Sequence, residues 1–560
     1  MQTNLNPYSS KPWLKKYDSH VPGHLGYPSH SLVDLLLNAC QQYPGKDCFS
    51  YNDTQLTYGA VEILTERIAA GLIQLGIQPG DHVGMILPNI PQFGLVYFGI
   101  LRAGAVVVAI NPQYRPREIA GMISTGQVKA VIVLDTKIAD LQQACAEFPI
   151  RLIIQCKTSD LSALNKIQPI TGQEKKKEVS QEPIDLFDLI KIGEQKISLP
   201  HISPEQPAVL QFTGGTTGTP KAAIGLHRNL VANTFQFITW CNLVSGQETV
   251  MAAIPLFHVY GMVLALCLGI KLGARIVFWD NPKELEKLVR AIERQKITFF
   301  PGVPTLYQAI NQQISASELS PDFHSLKVCI SGSAPLSPDI KKQYESLTGA
   351  RLMEGYGLSE APTATHCNPL NGDNRAGSIG LPLPDVECEV VKMDDDTRIV
   401  PIGESGELLI RGPQVMQSYF QNEEETAWTM KDDWLHTGDI VRMDQDGYFY
   451  IVDRKKSLIK VSGFQVWPNE VEQVLVSHPS IKEAGVGGVP DPARGEKVIA
   501  WVVLKDNVIK NEEEIRDWCK QNLAPYKIPS EIYFLQSLPR TTVGKILRRE
   551  LIRGYLEKME

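Results

Sequence analysis

No two of the ten cysteines between Cys40 and Cys519 stand as Cys-x-x-Cys. That spacing argues against a disulfide framework or a structural zinc site and favours a reducing compartment. An excess of positive charge is also missing. The formal net charge is -7 over 560 residues, which argues against a nucleic-acid surface but leaves room for small anionic substrates. Long apolar runs are absent too. The longest, such as Phe93–Leu101 and Met262–Ile270, fall well short of the roughly 20 residues of a membrane span. The polar stretch Met1–Tyr17 has no apolar signal core. A cytoplasmic protein is expected.

With hydrophobic residues at 43% and charged residues at 21%, the composition is that of a globular chain with a large core. A chain of this length divides into several structural units. Ser31-Leu-Val-Asp-Leu-Leu-Leu reads as a capped helix start. Val83–Leu87, Ala105–Ile110, Ala130–Leu134 and Arg151–Ile154 read as buried strands, and Phe93–Leu101 as a buried helix. Such alternation predicts α/β layers with mainly parallel sheets. Residues 157 to 200 break the pattern, and the charge run Gln173–Glu178 reads as a solvated loop. Order resumes at Ala208-Val-Leu-Gln-Phe. Alternating strands and Gly/Pro/Asp turns from Ser378 to Val452 predict a β-rich subdomain. After Asp453, helices at Asn469–Ser477 and Glu512–Asn522 and strands at Ala484–Val489 and Ile499–Leu504 predict a small α+β domain. The expected division is 1–453 and 454–560.

Two strings carry chemistry. Phe212-Thr213-Gly214-Gly215-Thr216-Thr217-Gly218-Thr-Pro-Lys221 follows a short apolar strand. Its glycines let backbone N–H groups approach an anion; the threonine hydroxyls add donors and Lys221 adds charge. This is the chemistry of a polyphosphate cradle, although the spacing is not that of a Walker A loop. A flexible Gly/Thr turn is the bland alternative. In Glu354-Gly-Tyr356-Gly357-Leu-Ser359-Glu360, Tyr356 can stack on a base, an interaction typically worth ~1–3 kcal/mol. Ser359 can donate to a phosphate, and Glu360 can hold Mg²⁺. A strand-end turn with a buried tyrosine fits that string equally well on its own.

Together with Pro255–Gly261, Ser331–Leu336, Gly406–Gly412, Trp434–Asp439, Asp453–Lys456 and Pro539–Leu547, these strings resemble the adenylate-forming superfamily. That superfamily comprises acyl-CoA synthetases, peptide-synthetase adenylation domains and beetle luciferases. The resemblance runs over nearly the whole chain. It is nearest to bacterial long-chain fatty-acid–CoA ligases, which share the run Gly463–Glu470 and the opening Trp13–Tyr17.

The resemblance implies ATP, Mg²⁺ and coenzyme A as cofactors or co-substrates, and a small C-terminal domain that moves. It places the backbone of Gly332, Ser333, Ala334 and Pro335 at the adenine edge with Tyr356 against its face. Asp439 and Arg454 go to the ribose, and Thr213 and Glu360 to the metal. His258 falls between acyl pocket and active centre, and Lys460 faces that centre in a second conformation. Gly463 lines a pantetheine tunnel and Lys456 is the hinge. Lys545 is the lysine of the first step, where an anionic carboxylate attacks phosphorus among anionic oxygens and fixed positive charge must offset the repulsion. Arg548 and Arg549 are expected in structural or surface roles.

Two positions depart from the pattern. Ser359 stands where relatives usually have Thr, and Ala222-Ala223 follows Lys221 where a glycine is usual. His258 replaces the acid that amino-acid-activating domains use, and no carrier module follows before Glu560; both disfavour that branch. An aryl- or short-chain-acid–CoA ligase and a fatty-acyl-AMP ligase remain as alternatives. A dead homologue would have lost Lys545, Glu360 or the Thr213 loop. Trp13, Leu14, Lys15, Lys16 and Tyr17 read as a plain N-terminal arm or as a peripheral contact with the inner face of a membrane. A homodimer is left open.

Overall fold

The structure, a computed structural model, describes residues 6–558 except 147, 161–182, 214–220, 318–320, 463, 493, 507 and 542–543. The charge run Gln173–Glu178, the loop glycines and Gly463 therefore lie outside the described residues. The chain forms two compact units. One contains Tyr17–Val386 and Arg411–Leu435; the other contains the chain through Lys16, Glu387–Ile410 and the chain from His436.

The first unit carries two large sheets. One runs in the spatial order Ile184–Asp185, Leu152–Cys156, Ala130–Leu134, His82–Ile86, Val106–Ala109, Pro207–Thr213 and Lys221–Leu226. Every pairing is parallel except the last, an antiparallel hairpin that sets Thr213 opposite Lys221. Its valine and isoleucine runs, including Val106, Val108, Val131 and Val133, are buried, as strands covered on both faces require. The other sheet runs Leu381–Pro382, Ala361–Cys367, Arg351–Leu358, Val328–Ser331, Phe299–Gly302, Thr249–Ala252, Arg275–Phe278, Asp47–Tyr51 and Thr54–Thr57. It is parallel in the middle and antiparallel at both ends.

The sequence logic holds locally. Ser31 caps the helix Leu32–Gln42 by accepting from the Asp34 N–H, while the Asp34 carboxylate accepts from the Ser31 N–H at 2.7 Å. The helix Pro91–Arg102 is buried on every face. Such a helix can end in arginine only because the Arg102 guanidinium donates to the Glu62 carbonyl at 2.7 Å and to Thr65 at 2.9 Å. Between 157 and 200 the sequence reading missed order. Ile184–Asp185 is an edge strand, and Leu186–Ile192 is a helix that Asp185 caps, burying Leu186, Leu189 and Ile190.

The second unit holds an antiparallel group of strands, Glu387–Val391, Ser405–Arg411, Trp434–Met443 and Phe449–Arg454. It also holds an α+β piece in which Gly495–Leu504 pairs with Ile481–Asp491, Ile459–Val461 and Glu531–Phe534. The helices Pro468–Val476 and Glu512–Asn522 lie where the sequence places them. Trp13 is 1% exposed and packs edge-on against Phe449. The segment is thus a packed arm, and Trp13 offers nothing to a membrane surface. No described helix is long and apolar enough to cross a membrane.

Candidate adenylate-forming site

The site in the first unit grows from strand ends. Thr213 ends one strand and Lys221 begins the next. Gly214, Gly215, Thr216, Thr217 and Gly218 lie outside the described residues. Ala222 and Ala223 are buried in the returning strand, so the chain leaves Lys221 directly as a β-ladder with no glycine needed.

Ser331 and Glu354 face each other on parallel neighbouring strands, which brings the Gly332–Pro335 loop beside the Glu354–Glu360 string. The Glu354 carboxylate accepts from the Leu336 N–H at 3.1 Å. Its carbonyl accepts from the Asn368 N–H at 2.9 Å. Ser333 adopts φ +71, a left-handed conformation that a serine holds only at a cost. Gly332 is set by close approach: a Cβ there would meet the Tyr260 ring at 3.1 Å. That ring is fixed because its hydroxyl donates to the carbonyls of Gly302 at 3.0 Å and Ile330 at 2.8 Å. Two residues earlier, His258 is half-buried and its Nδ1 accepts from the Tyr260 N–H at 3.2 Å. The buried run Met262–Cys267 that follows winds as a π-helix, a form that recurs at functional sites. His258, the Gly332–Pro335 loop and the Glu354 strand thus converge.

Tyr356 is half-buried and meets the buried His366 edge-on at 5.7 Å. Burial pushes the His366 imidazole down to about 3, so it is neutral at ordinary pH. Gly357 is obligatory, since a Cβ would fall 1.9 Å from the Thr363 carbonyl oxygen. Ser359 and Glu360 are half-buried in the turn that follows.

Sequence reasoning missed two residues here. The Tyr419 hydroxyl donates to Glu360 Oε1 at 2.7 Å, and Glu425 forms an ion pair with Lys221. Both lie in a stretch without a glycine-rich or periodic signal; only their contacts reveal them. The donor chemistry suits Mg²⁺, a hard cation held by one or two carboxylates together with substrate phosphates. Glu360 and the Thr213 hydroxyl are the residues that could hold it. Among the described residues no cluster of three His, Cys, Asp or Glu side chains forms a dedicated metal cage.

In the other unit, Asp439 and Arg454 are partners across a hairpin. Arg454 Nε lies 2.8 Å from Asp439 Oδ1; the carboxylate is 4% exposed and the guanidinium 52%. A buried acceptor beneath an exposed donor is a geometry that can take a diol. Behind it, burial opposes ionisation of Glu407, but contacts with His436 and Lys455 win and hold its carboxyl down to about 2. Lys455 Nζ lies 2.6 Å away. Lys456 lies in the exposed turn Lys455–Ser457. Lys460 is exposed on its strand, its N–H donating to Glu496 at 2.7 Å. Lys545 is exposed in a loop tied by its carbonyl to the Thr541 N–H at 2.8 Å and by Arg540 to the Gly544 carbonyl at 2.7 Å. Arg548 makes a two-pronged pair with Glu472, a structural role. Gly463 lies outside the described residues.

The AMP-binding enzyme family profile matches residues 36–420. The chain belongs to the AMP-binding enzyme family. The profile of the AMP-binding enzyme C-terminal domain matches 470–545. A long-chain-fatty-acid–CoA ligase of Bacillus subtilis is 38% identical, covering 98% of this chain and 99% of that one. A protein of the same description from Salmonella typhimurium is 36% identical over 97% and 98%. Among solved structures, an anthranilate CoA ligase in complex with anthranoyl-AMP is 27% identical, with TM-score 0.80 and coverage of 95% and 99%. In this AMP-binding enzyme the family motifs therefore lie within one near-full-length similarity rather than in scattered coincidences of sequence.

Burial pushes the Glu354 carboxyl up to about 8 against the pull of the Leu336 N–H. The folded chain thus binds a proton more tightly than the unfolded chain. Stability from this group is fully present below about 4.5 and is lost as pH rises through about 8. The slope is at most ~1.4 kcal/mol per pH unit. Glu354→Gln keeps an acceptor for Leu336 and removes the charge. Unfolding of the variant, followed from pH 5 to 8.5, is expected to gain relative to the wild type toward high pH. Parallel wild-type and variant curves would remove this assignment.

Proposed function

We propose that this chain is an ATP-dependent fatty acid–CoA ligase. A fatty acid and ATP give acyl-AMP and pyrophosphate; acyl-AMP and CoA then give acyl-CoA and AMP. The observation that carries the reading is the near-full-length similarity to proteins described as long-chain-fatty-acid–CoA ligases. As an acid–thiol ligase, the chain divides the work between two sets of residues.

On the nucleotide side, Thr213, the Gly214–Gly218 loop, Lys221 and Ser359 bind phosphates. Gly332–Pro335, Glu354, Tyr356 and Gly357 hold adenine, and Asp439 and Arg454 hold the ribose hydroxyls. Bound at Thr213 and Glu360, Mg²⁺ supplies charge neutralisation of the polyphosphate. His258 borders the acyl pocket, whose neighbours Val259 and Met262 are buried and apolar. Lys545 offsets charge as the carboxylate attacks the α-phosphorus. For the second step we assign Lys460 and Gly463 to the thioester-forming arrangement and Lys456 to the hinge, with the functional boundary at 453/454. The family profile that begins after this point, at residue 470, supports that boundary. Localisation in the cytoplasm fits the charge and cysteine pattern.

The test is a competition panel from acetate to oleate, with coumarate, read as CoA-dependent AMP formation. Each buried methylene is worth ~0.8 kcal/mol, so kcat/KM is expected to rise about fourfold per added CH₂ until the pocket ends. A higher kcat/KM for acetate or coumarate than for every fatty acid overturns the fatty-acid assignment. Pyrophosphate release with accumulation of acyl-AMP and no CoA consumption points instead to an acyl-AMP ligase.

A further inference from the structure

The segment that follows Pro413 in the first unit touches both charged ends of the phosphate site. Its backbone lies along the strand that Lys221 opens. The Gln417 N–H donates to the Ile224 carbonyl at 3.1 Å, the Ile224 N–H to Ser418 at 2.9 Å, and the Phe420 N–H to Ala222 at 2.8 Å. At its start, the Met416 N–H donates to the Glu360 carbonyl at 2.8 Å. The segment is therefore registered against both motifs by main-chain bonds, and its side chains arrive at fixed places.

Two of those side chains have no role in the reading so far. The Tyr419 ring lies under the Lys221 ammonium at 5.6 Å, while its hydroxyl donates to Glu360 Oε1. Glu425, on the short helix Glu423–Thr429, pairs with Lys221; the two side chains are 30% and 12% exposed. Lys221 has one ammonium, and an anion that engages it competes with Glu425 for that charge. A polyphosphate carries more negative charge than a carboxylate and can win that contest. The cost of breaking the existing pair still subtracts from its affinity.

We infer that Glu425 and Tyr419 are positioning residues of the nucleotide site: Glu425 holds Lys221 in place until polyphosphate displaces it, and Tyr419 orients the Glu360 carboxylate. Glu425 keeps a partly buried ammonium paired, which spares the chain an uncompensated cation. Tyr419 fixes one carboxylate oxygen by a charge-assisted bond and so sets where the other oxygen points. The inference rests on the reading of this site as an ATP site.

Isothermal titration of the full chain with ATP and with adenosine tests it, because only ATP engages Lys221. Glu425→Gln is expected to bind ATP roughly threefold tighter or more and adenosine unchanged. In a Lys221→Ala background the same substitution is expected to have no effect on ATP, which a double-mutant cycle reads directly. Equal tightening of adenosine, looser ATP binding, or a gain that persists without Lys221 overturns the role of Glu425. Tyr419→Phe keeps the ring and loses the hydroxyl. Its affinity for ATP without Mg²⁺ is expected to match the wild type, while the gain on adding Mg²⁺ shrinks severalfold. An undiminished Mg²⁺ gain overturns the role of Tyr419. A wild-type chain that binds no ATP overturns the nucleotide reading itself, an outcome distinct from all of these.

Discussion

Glu360→Gln is expected to lower acid-dependent pyrophosphate release by roughly 10²-fold or more while leaving the fold intact. Removing one preorganised charge contact in a phosphoryl-transfer site commonly costs that much. The amide is chosen because Glu360 Oε1 accepts a hydrogen bond from Tyr419 at 2.7 Å. Glutamine can still accept it, and the Glu360 carbonyl still accepts from Met416. The substitution therefore removes charge and little else. Alanine would also leave the hydroxyl of the buried Tyr419 without its acceptor, and a loss of rate would then mix two causes. The thermal midpoint of Glu360→Gln should stay close to that of the wild type, and raised Mg²⁺ should recover part of the rate. Near-normal adenylate formation at ordinary Mg²⁺ would take Glu360 out of the site.

What the sequence made legible follows from how each feature is encoded. Strands covered on both faces are written as uninterrupted apolar runs, so Val106–Ala109 and Ala130–Leu134 could be read directly. Caps are written in three or four residues, and Ser31 with Asp34 obeyed that grammar. The helix Leu186–Ile192 was missed because it has only seven residues and lies beside a charged stretch that dominated the local composition. Its signal was present in the Asp185 cap and in Leu186, Leu189 and Ile190 spaced along one face.

The site was legible where glycine or a rare string marks it. Gly357 must be glycine because a backbone oxygen occupies the place of its Cβ, and such constraints leave traces in a motif. Tyr419 and Glu425 leave none. A tyrosine and a glutamate in a segment without a motif acquire meaning only through residues about 60 and 200 positions away, which no local pattern encodes. The buried Glu354 is a further case. Its identity was visible, but its raised carboxyl depends on burial among strands distant in sequence.

Lys545→Ala and Gly463→Leu are expected to fail in opposite half-reactions, each by roughly 10²-fold or more. One active centre has to serve two different needs. Adenylation requires a cation where negative charge grows on the transferred phosphoryl group; thioester formation requires an open path for a long thiol arm. Both positions follow Lys456, and our proposal is that the segment beyond this hinge presents them in turn, a hinge motion of known type. Such a turn has to break contacts that the chain makes across Lys456. The Asn469 N–H donates to the Asp453 carboxylate at 2.7 Å, and the Asn469 amide donates to the Val452 carbonyl at 3.1 Å. These are polar bonds, exchangeable with water. Lys545→Ala should stop pyrophosphate release yet convert supplied acyl-AMP and CoA to acyl-CoA. Gly463→Leu should form acyl-AMP but little thioester, because the new side chain fills the path. Lys456→Pro, which fixes φ at the hinge, should slow the overall cycle more than either half-reaction started from its own substrates. The measurement is each half-reaction run separately, with isolated acyl-AMP as substrate for the second. Equal damage by Lys545→Ala and Gly463→Leu to the same half-reaction would rule out alternation in this protein, since one arrangement of the segment would then serve both steps.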